Sequence, residues 1–191
     1  MLTKDNKMAA ESELTFLLRV TEFAASKHRD QRRKDSARTP YINHPIGVAH
    51  IISGEGGITD INILCAAVLH DTVEDTDTTF DEIEEHFGQH IRTIVEECSD
   101  DMNLPVNIRK QKQIEYAPIA SHEAKVVKLA DKLHNLRDIE RDTPVGWGEE
   151  RVTAYFRWAS EVVRGLKGAC SPLEQKLEEM FRRRNITRAS A

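Results

Sequence analysis

The amino-acid sequence predicts an all-α single domain, and three observations carry that expectation. Apolar residues recur at helical spacing along most of the chain, no segment alternates with period two for long enough to make a strand, and helix-starting and helix-stopping residues punctuate it at helix-length intervals. A length of 191 residues suits one continuous core. The reading divides it into a leader over residues 1–8, a helical domain over 9–184 and a tail over 185–191.

Taken in order, residues 9–27 are rich in helix formers, and Leu14, Phe16, Leu17, Val20, Phe23 and Ala24 give an apolar surface wide enough to be buried on more than one side. A turn-prone basic segment follows, carrying Lys27, Arg29, Arg32, Arg33, Lys34 and Arg38; it reads as a solvated loop or as a phosphate clamp. A short helix is expected over 46–53, with Pro45 in its first turn and Gly54 to Gly57 ending it. Thr59 is the expected cap of an apolar helix over 60–72. Thr79 and Glu82 read as a capping box for a helix over 80–86, stopped by Gly88. Further helices are expected over 89–98, up to Ala117, and over 122–142 and 149–166. A second capping box, Ser171 with Glu174, opens the last helix, and the basic run Arg182, Arg183, Arg184 and Arg188 is expected to fray.

Composition narrows the function. Apolar content of 39% with 31% charged residues is ordinary for a globular protein, and a formal charge of −5 argues against bulk binding to nucleic-acid polymers or anionic membranes. No apolar run approaches the roughly 20 residues of a membrane span, and the N-terminus lacks a signal-peptide core. Three separated cysteines without a CxxC pair fit reduced thiols, so a cytoplasmic location is expected.

The chemistry concentrates in Val68-Leu69-His70-Asp71-Thr72-Val73-Glu74-Asp75, directly after the apolar helix. A histidine beside a carboxylate is a mixed N/O donor set suited to a divalent cation such as Mn, Fe or Zn, and Glu74 and Asp75 follow one turn later. Read blandly, the same run is a cap and an acidic surface loop. His44, before Pro45, can project into a cleft. Asp131 and Asn135 are i, i+4 neighbours on an apolar helix, where a buried carboxylate needs a cationic partner: a metal, or Lys132 or Arg137. His134 fits ligation or a supporting contact, and His28, His50, His86, His90 and His122 read as surface residues.

The order His44, His70-Asp71, Asp131 resembles the HD-domain metal-dependent phosphohydrolases. The longer strings Thr39-Pro40-Tyr41-Ile42-Asn43-His44-Pro45, Leu69 to Thr76 and Lys128 to Arg137 are similar to the hydrolase domain of RelA/SpoT alarmone enzymes, in their stand-alone metazoan form. That resemblance implies an HD-type bundle of about eight to ten helices. It implies that His44, His70, Asp71 and Asp131 hold one Mn(II), and that Glu74 and Asp75 position and deprotonate the attacking water. It implies further that Arg33, Lys34, Asn135, Arg151 and Tyr155 contact substrate. The implied reaction releases pyrophosphate from the ribose 3′ position of ppGpp or pppGpp. The residues leave open the 2′-phosphate of NADPH or another phosphorylated nucleotide as substrate, a nucleotide-binding module with little turnover, and the oligomeric state. Val106 stands where some relatives carry a cation, and Ser99-Asp100-Asp101 makes the expected mouth of the site more acidic than in many of them.

Overall fold

The computed structural model describes residues 11–186; the expected leader and the last five residues of the expected tail lie outside them. Within the described residues the chain is helical throughout, with one isolated bridge between Arg32 and Pro40. No helix among them is long and apolar enough to cross a membrane.

Helix α1 (Glu13–Lys27) starts where the Ser12 side chain accepts the Thr15 N–H. It buries one stripe, through Val20 and Ala24, while Leu14 and Leu18 are exposed, so the expected burial on more than one side does not occur. Helix α2 (Asn43–His50) begins three residues before the expected start, placing His44 inside it. Pro45 falls at its third position, where a missing N–H leaves no helical hydrogen bond unmade. The helix runs on into a π turn, Ile51–Glu55, in which the Gly56 N–H reaches back five residues to Ile51.

Helix α3 (Ile61–Leu69) is capped by Asp60, whose carboxylate accepts the Asn62 and Ile63 N–H groups; Thr59 is not the cap. It ends at Leu69, and His70-Asp71 forms the break before the one-turn helix α4 (Thr72–Asp75). Thr79 caps α5 (Phe80–Phe87), but the Glu82 carboxylate pairs with Lys27 instead of completing a box. Gly88, at φ 90°, ends α5 and opens α6 (Gln89–Cys98), a left-handed position that a side chain would strain.

Helix α7 (Val106–Tyr116) has no buried residue, whereas α8 (His122–Arg141) packs against α2, α3, α6, the π turn, α9 (Glu149–Gly165) and α10 (Ser171–Arg183). Being surrounded explains the broad apolar surface of α8, with Val126, Val127, Leu129, Leu133 and Leu136 fully buried. At α10 the second capping box is only half made: Glu174 accepts the Gly168 and Cys170 N–H groups, while Ser171 is already helical and the cap is Cys170. The basic end does not fray at residues 183 and 184, because Arg183 pairs with Glu140 at 3.1 Å and Arg184 with Glu149 at 3.0 Å.

Leu133→Ala is expected to cost about 2–5 kcal/mol in chemical denaturation through the cavity it leaves. Leu18→Ala, on the exposed side of α1, is expected to change stability by less than about 0.5 kcal/mol. Equal effects would place the core wrongly.

Candidate metal centre

Three separate pieces of chain converge beside the middle of α8. Helix α2 supplies His44, the α3–α4 break supplies His70 and Asp71, and α8 supplies Asp131. The break matters: on a continuous helix adjacent side chains point about 100° apart, and a turn at 70–71 lets both aim at one point. On α8, Lys128, Asp131, Asn135 and Asp138 follow one another at spacings of three and four, making a polar stripe on an otherwise buried helix.

The donor atoms are close. His44 Nε2 lies 3.4 Å from Asp71 Oδ2 and 3.2 Å from Asp131 Oδ1; His70 Nε2 lies 3.2 Å and 3.8 Å from the same two oxygens. His44, His70 and Asp131 each present a ligand atom, and these three atoms lie within 4.8 Å of one another. His44 and His70 are buried.

The chemistry of the donor set calls for a cation. His70 Nδ1 is bound at 2.7 Å to the Ala67 carbonyl, which can only accept, so the proton sits there and Nε2 faces the cluster. Nε2 is buried and makes no hydrogen bond. Burial opposes an imidazolium, yet Asp71 and Asp131 raise the His70 pKa well above its ordinary value. Burial likewise opposes ionisation of Asp71, but His70 and His44 hold its pKa well below the usual range. For Asp131 the opposing partners are Lys132 and the same two histidines. Two half-buried carboxylates on two buried imidazoles thus demand positive charge at one point, and a divalent ion with N/O preference meets that demand. His44, His70, Asp71 and Asp131 fit such an ion.

The partners behind these donors are equally defined. Tyr41 donates its hydroxyl to Asp71 Oδ2 at 2.7 Å. Asn135 donates to Asp131 Oδ1 at 2.6 Å, and buried Lys132 pairs with Asp131 Oδ2 at 2.8 Å. The salt bridge to Lys132 therefore exists beside the histidine cluster, one oxygen for each, while Arg137 pairs with Glu55. Arg33 donates to both Asn135 Oδ1 at 2.8 Å and Asp138 Oδ2 at 2.9 Å. The His134 ring packs on His44, with its Nδ1 3.0 Å from His44 Nδ1 and 3.5 Å from Asp138 Oδ2. Burial, and then His44, pushes its pKa down to about 4.

A cleft of about 250 Å³ opens over the cluster. Glu74 lines it and accepts the Asp100 N–H at 2.6 Å. Burial, and then the charges of Asp71 and Asp100, raise its pKa to about 7. Asp75 points elsewhere: it is exposed, does not line the cleft, and accepts from Gln31 at 2.8 Å. Of the residues that the resemblance implies contact substrate, Arg33, Asn135 and Tyr155 line the cleft. Lys34 and Arg151 do not; both are exposed, and the Arg151 guanidinium lies 4.3 Å from the centre of the Trp147 ring.

Several cleft residues carry no sequence expectation of a role there: Tyr41, Arg109, Lys110 and Trp158. The Arg109-Lys110 pair on a helix with no buried residue was the available signal, since two adjacent cations there have no helical carboxylate partner. Lys110 lies 4.8 Å over Trp158 and 5.5 Å over Tyr155. Val106 also lines the cleft, but offers no charge. His28 is not a surface residue: it is 1% exposed, bound at 2.6 Å to Gln31, and packed on Tyr41. His50, His86, His90 and His122 are exposed.

The HD domain family model matches residues 21–155. A Xenopus tropicalis protein named guanosine-3′,5′-bis(diphosphate) 3′-pyrophosphohydrolase MESH1 is 62% identical over 170 residues, spanning 89% of this chain and 95% of that protein. The Homo sapiens protein of the same name is 59% identical over 176 residues, spanning 92% and 98%. A solved structure described as a metazoan orthologue of SpoT that hydrolyses ppGpp superposes with a TM-score of 0.89 at 47% identity, covering 94% of this chain and 99% of that one. The chain belongs to the HD-domain family, within the group that includes these MESH1 proteins.

Proposed function

We propose that this protein is a metal-dependent hydrolase that removes pyrophosphate from the ribose 3′ position of guanosine tetra- and pentaphosphate alarmones. The observation that carries the reading is the buried convergence of His44, His70, Asp71 and Asp131, with His70 Nε2 facing it unbonded. Relatives at 62% and 59% identity that bear the name of this activity support it.

Those four residues would hold one divalent ion, Mn(II) in this reading. When bound, a divalent ion supplies Lewis acidity at the phosphoryl group and lowers the pKa of the attacking water. The chain's own groups do the rest. Glu74 faces the cleft, held by the Asp100 N–H, and takes the proton of the attacking water. Asp75 serves from outside the cleft: through Gln31 it braces His28 and Tyr41 behind Asp71. Arg33, Asn135 and Tyr155 line the place for the nucleotide, and Arg109, Lys110 and Lys132 add positive charge for its phosphates. Lys34 and Arg151 reach the substrate only by leaving the positions they hold here. Water is the second reactant, so the P–O bond to the ribose 3′ oxygen breaks and that oxygen receives a proton.

The direct test is pyrophosphate release from ppGpp and phosphate release from NADPH, side by side, with Mn(II), Mg(II) or chelator. Mn(II)-dependent pyrophosphate from ppGpp is expected; activity on NADPH alone would replace the substrate. Asp71→Ala is expected to abolish both metal retention and turnover, and full activity in that variant would refute the ligand set. Glu74→Gln is expected to lower kcat by about 10²–10⁴-fold while keeping the metal. Glu74 is protonated below its raised pKa of about 7 and can accept a proton only above it, so kcat should climb with pH. A cation bound nearby lowers that value, placing the limb at or below pH 7. The limb should vanish in Glu74→Gln; an unchanged pH profile would remove Glu74 from the proton transfer.

A further inference from the structure

The His134 ring packs on His44 beside the metal centre, and the reaction as proposed leaves it unused. It stands on the far side of His44 from the cluster. Its Nδ1 meets His44 Nδ1 at 3.0 Å, while His44 Nε2, on the opposite side of that ring, meets Asp71 and Asp131. The geometry therefore excludes His134 from the ligand set in this arrangement and puts it behind a ligand.

The two facing nitrogens constrain each other. Two ring nitrogens 3.0 Å apart hold one proton between them, because two N–H groups would clash and two lone pairs would repel. If His44 gives its Nε2 lone pair to an ion, its proton must sit on Nδ1, and His134 Nδ1 must accept it. His134 then carries its own proton on Nε2. This is the outer partner that a ligating imidazole ordinarily finds in a carboxylate or a carbonyl. Here it is a second imidazole; Asp138 Oδ2, which Arg33 anchors at 2.9 Å, lies 3.5 Å from the same His134 Nδ1 and accepts no proton from it in this tautomer.

Room for that ring is made by one residue of α2. A Cβ built at Gly47 would lie 2.3 Å from His134 Nε2 and 2.5 Å from its Cδ2, so only glycine lets the ring stand where it does. Gly47 is three residues after His44, on the same face of the same helix. Helix α2 thus carries both the ligand and the gap that seats its partner.

We infer that His134 is a positioning residue for the metal: it accepts the His44 Nδ1 proton, fixes the tautomer that exposes His44 Nε2, and depends on Gly47 for its place. The inference rests on the reading of this cluster as a metal site. It predicts a chemical requirement at position 134, an acceptor at the Nδ1 position, rather than a requirement for bulk.

The test is Mn(II) titration of metal-free full-length protein, reading free Mn(II) by electron paramagnetic resonance, for wild type and three variants. His134→Phe keeps a ring against Gly47 and removes the acceptor; it is expected to weaken Mn(II) binding by about 10–100-fold. His134→Asn returns an oxygen near the Nδ1 position and is expected to stay within about threefold of wild type. Gly47→Ala displaces the ring and is expected to weaken binding in the same direction as His134→Phe. Wild-type affinity in His134→Phe, or equal loss in His134→Phe and His134→Asn, would overturn the inference while leaving the metal site standing. No Mn(II) binding by wild type would overturn both. Should the variants fail to fold, ¹⁵N-histidine spectra of the Zn(II)-loaded wild type decide. A protonated His44 Nδ1 scalar-coupled across the hydrogen bond to an unprotonated His134 Nδ1 is expected, and a proton on His134 Nδ1 would contradict it.

Discussion

Two carboxylates withdrawn from water onto the same pair of imidazole nitrogens set the terms for this molecule. Asp71 and Asp131 each approach both His44 Nε2 and His70 Nε2, at 3.2–3.8 Å. Burying even one such charge unpaired is costly, and two at one point are tolerable only with positive charge between them. The helical bundle is built to bring them there regardless. Helix α8 runs through the middle, sheathed by apolar contacts on most sides, and leaves one polar stripe for Asp131, Asn135 and Asp138. Helix α3 stops at Leu69 so that His70 and Asp71 can turn toward that stripe, and α2 begins early enough to hold His44 rigidly.

Around that point the supporting groups act in two ways. Some fix ligand orientation: Tyr41 on Asp71, the Ala67 carbonyl on His70, Asn135 and Lys132 on Asp131, and His134 on His44. Others shape the cleft for a polyanion. An acidic chain of net charge −5 nonetheless lines this cleft with Arg33, Arg109, Lys110, Lys128 and Lys132. Lys110 and Lys132 rest on Trp158, which holds their charge over an aromatic face at 4.8 and 4.9 Å. Glu74 is the acidic exception with a use: desolvation keeps its carboxyl near neutrality, where accepting a proton is effective.

Much of this was legible from residue order alone, for physical reasons that differ by element. Helices with strong caps or stops, such as α6 and α8, read within a residue, because apolar periodicity and Ser121 or the stop after Arg141 leave little choice. The candidate ligands stand out because His-Asp directly after an apolar run, and a carboxylate on an apolar helix, are costly to bury without a partner, and the resemblance to HD-domain enzymes implies the set of four. What was misread depends on contacts between distant segments. Asp60 competes successfully with Thr59 for the α3 cap, and Glu82 prefers Lys27, 55 residues away, to its own helix end. His28 is buried only because Tyr41 folds over it, and Asp75 turns outward although Glu74 beside it turns in. The Gly47–His134 fit spans α2 and α8 and leaves no trace in spacing.

The centre itself can be located directly. Anomalous diffraction from crystals of Mn(II)-loaded protein should show one peak per chain, bounded by His44 Nε2, His70 Nε2 and carboxylate oxygens of Asp71 and Asp131. A peak seated elsewhere, a bridged pair of ions, or a peak that leaves His70 Nε2 unligated would contradict the assignment of these four residues as a single-ion site.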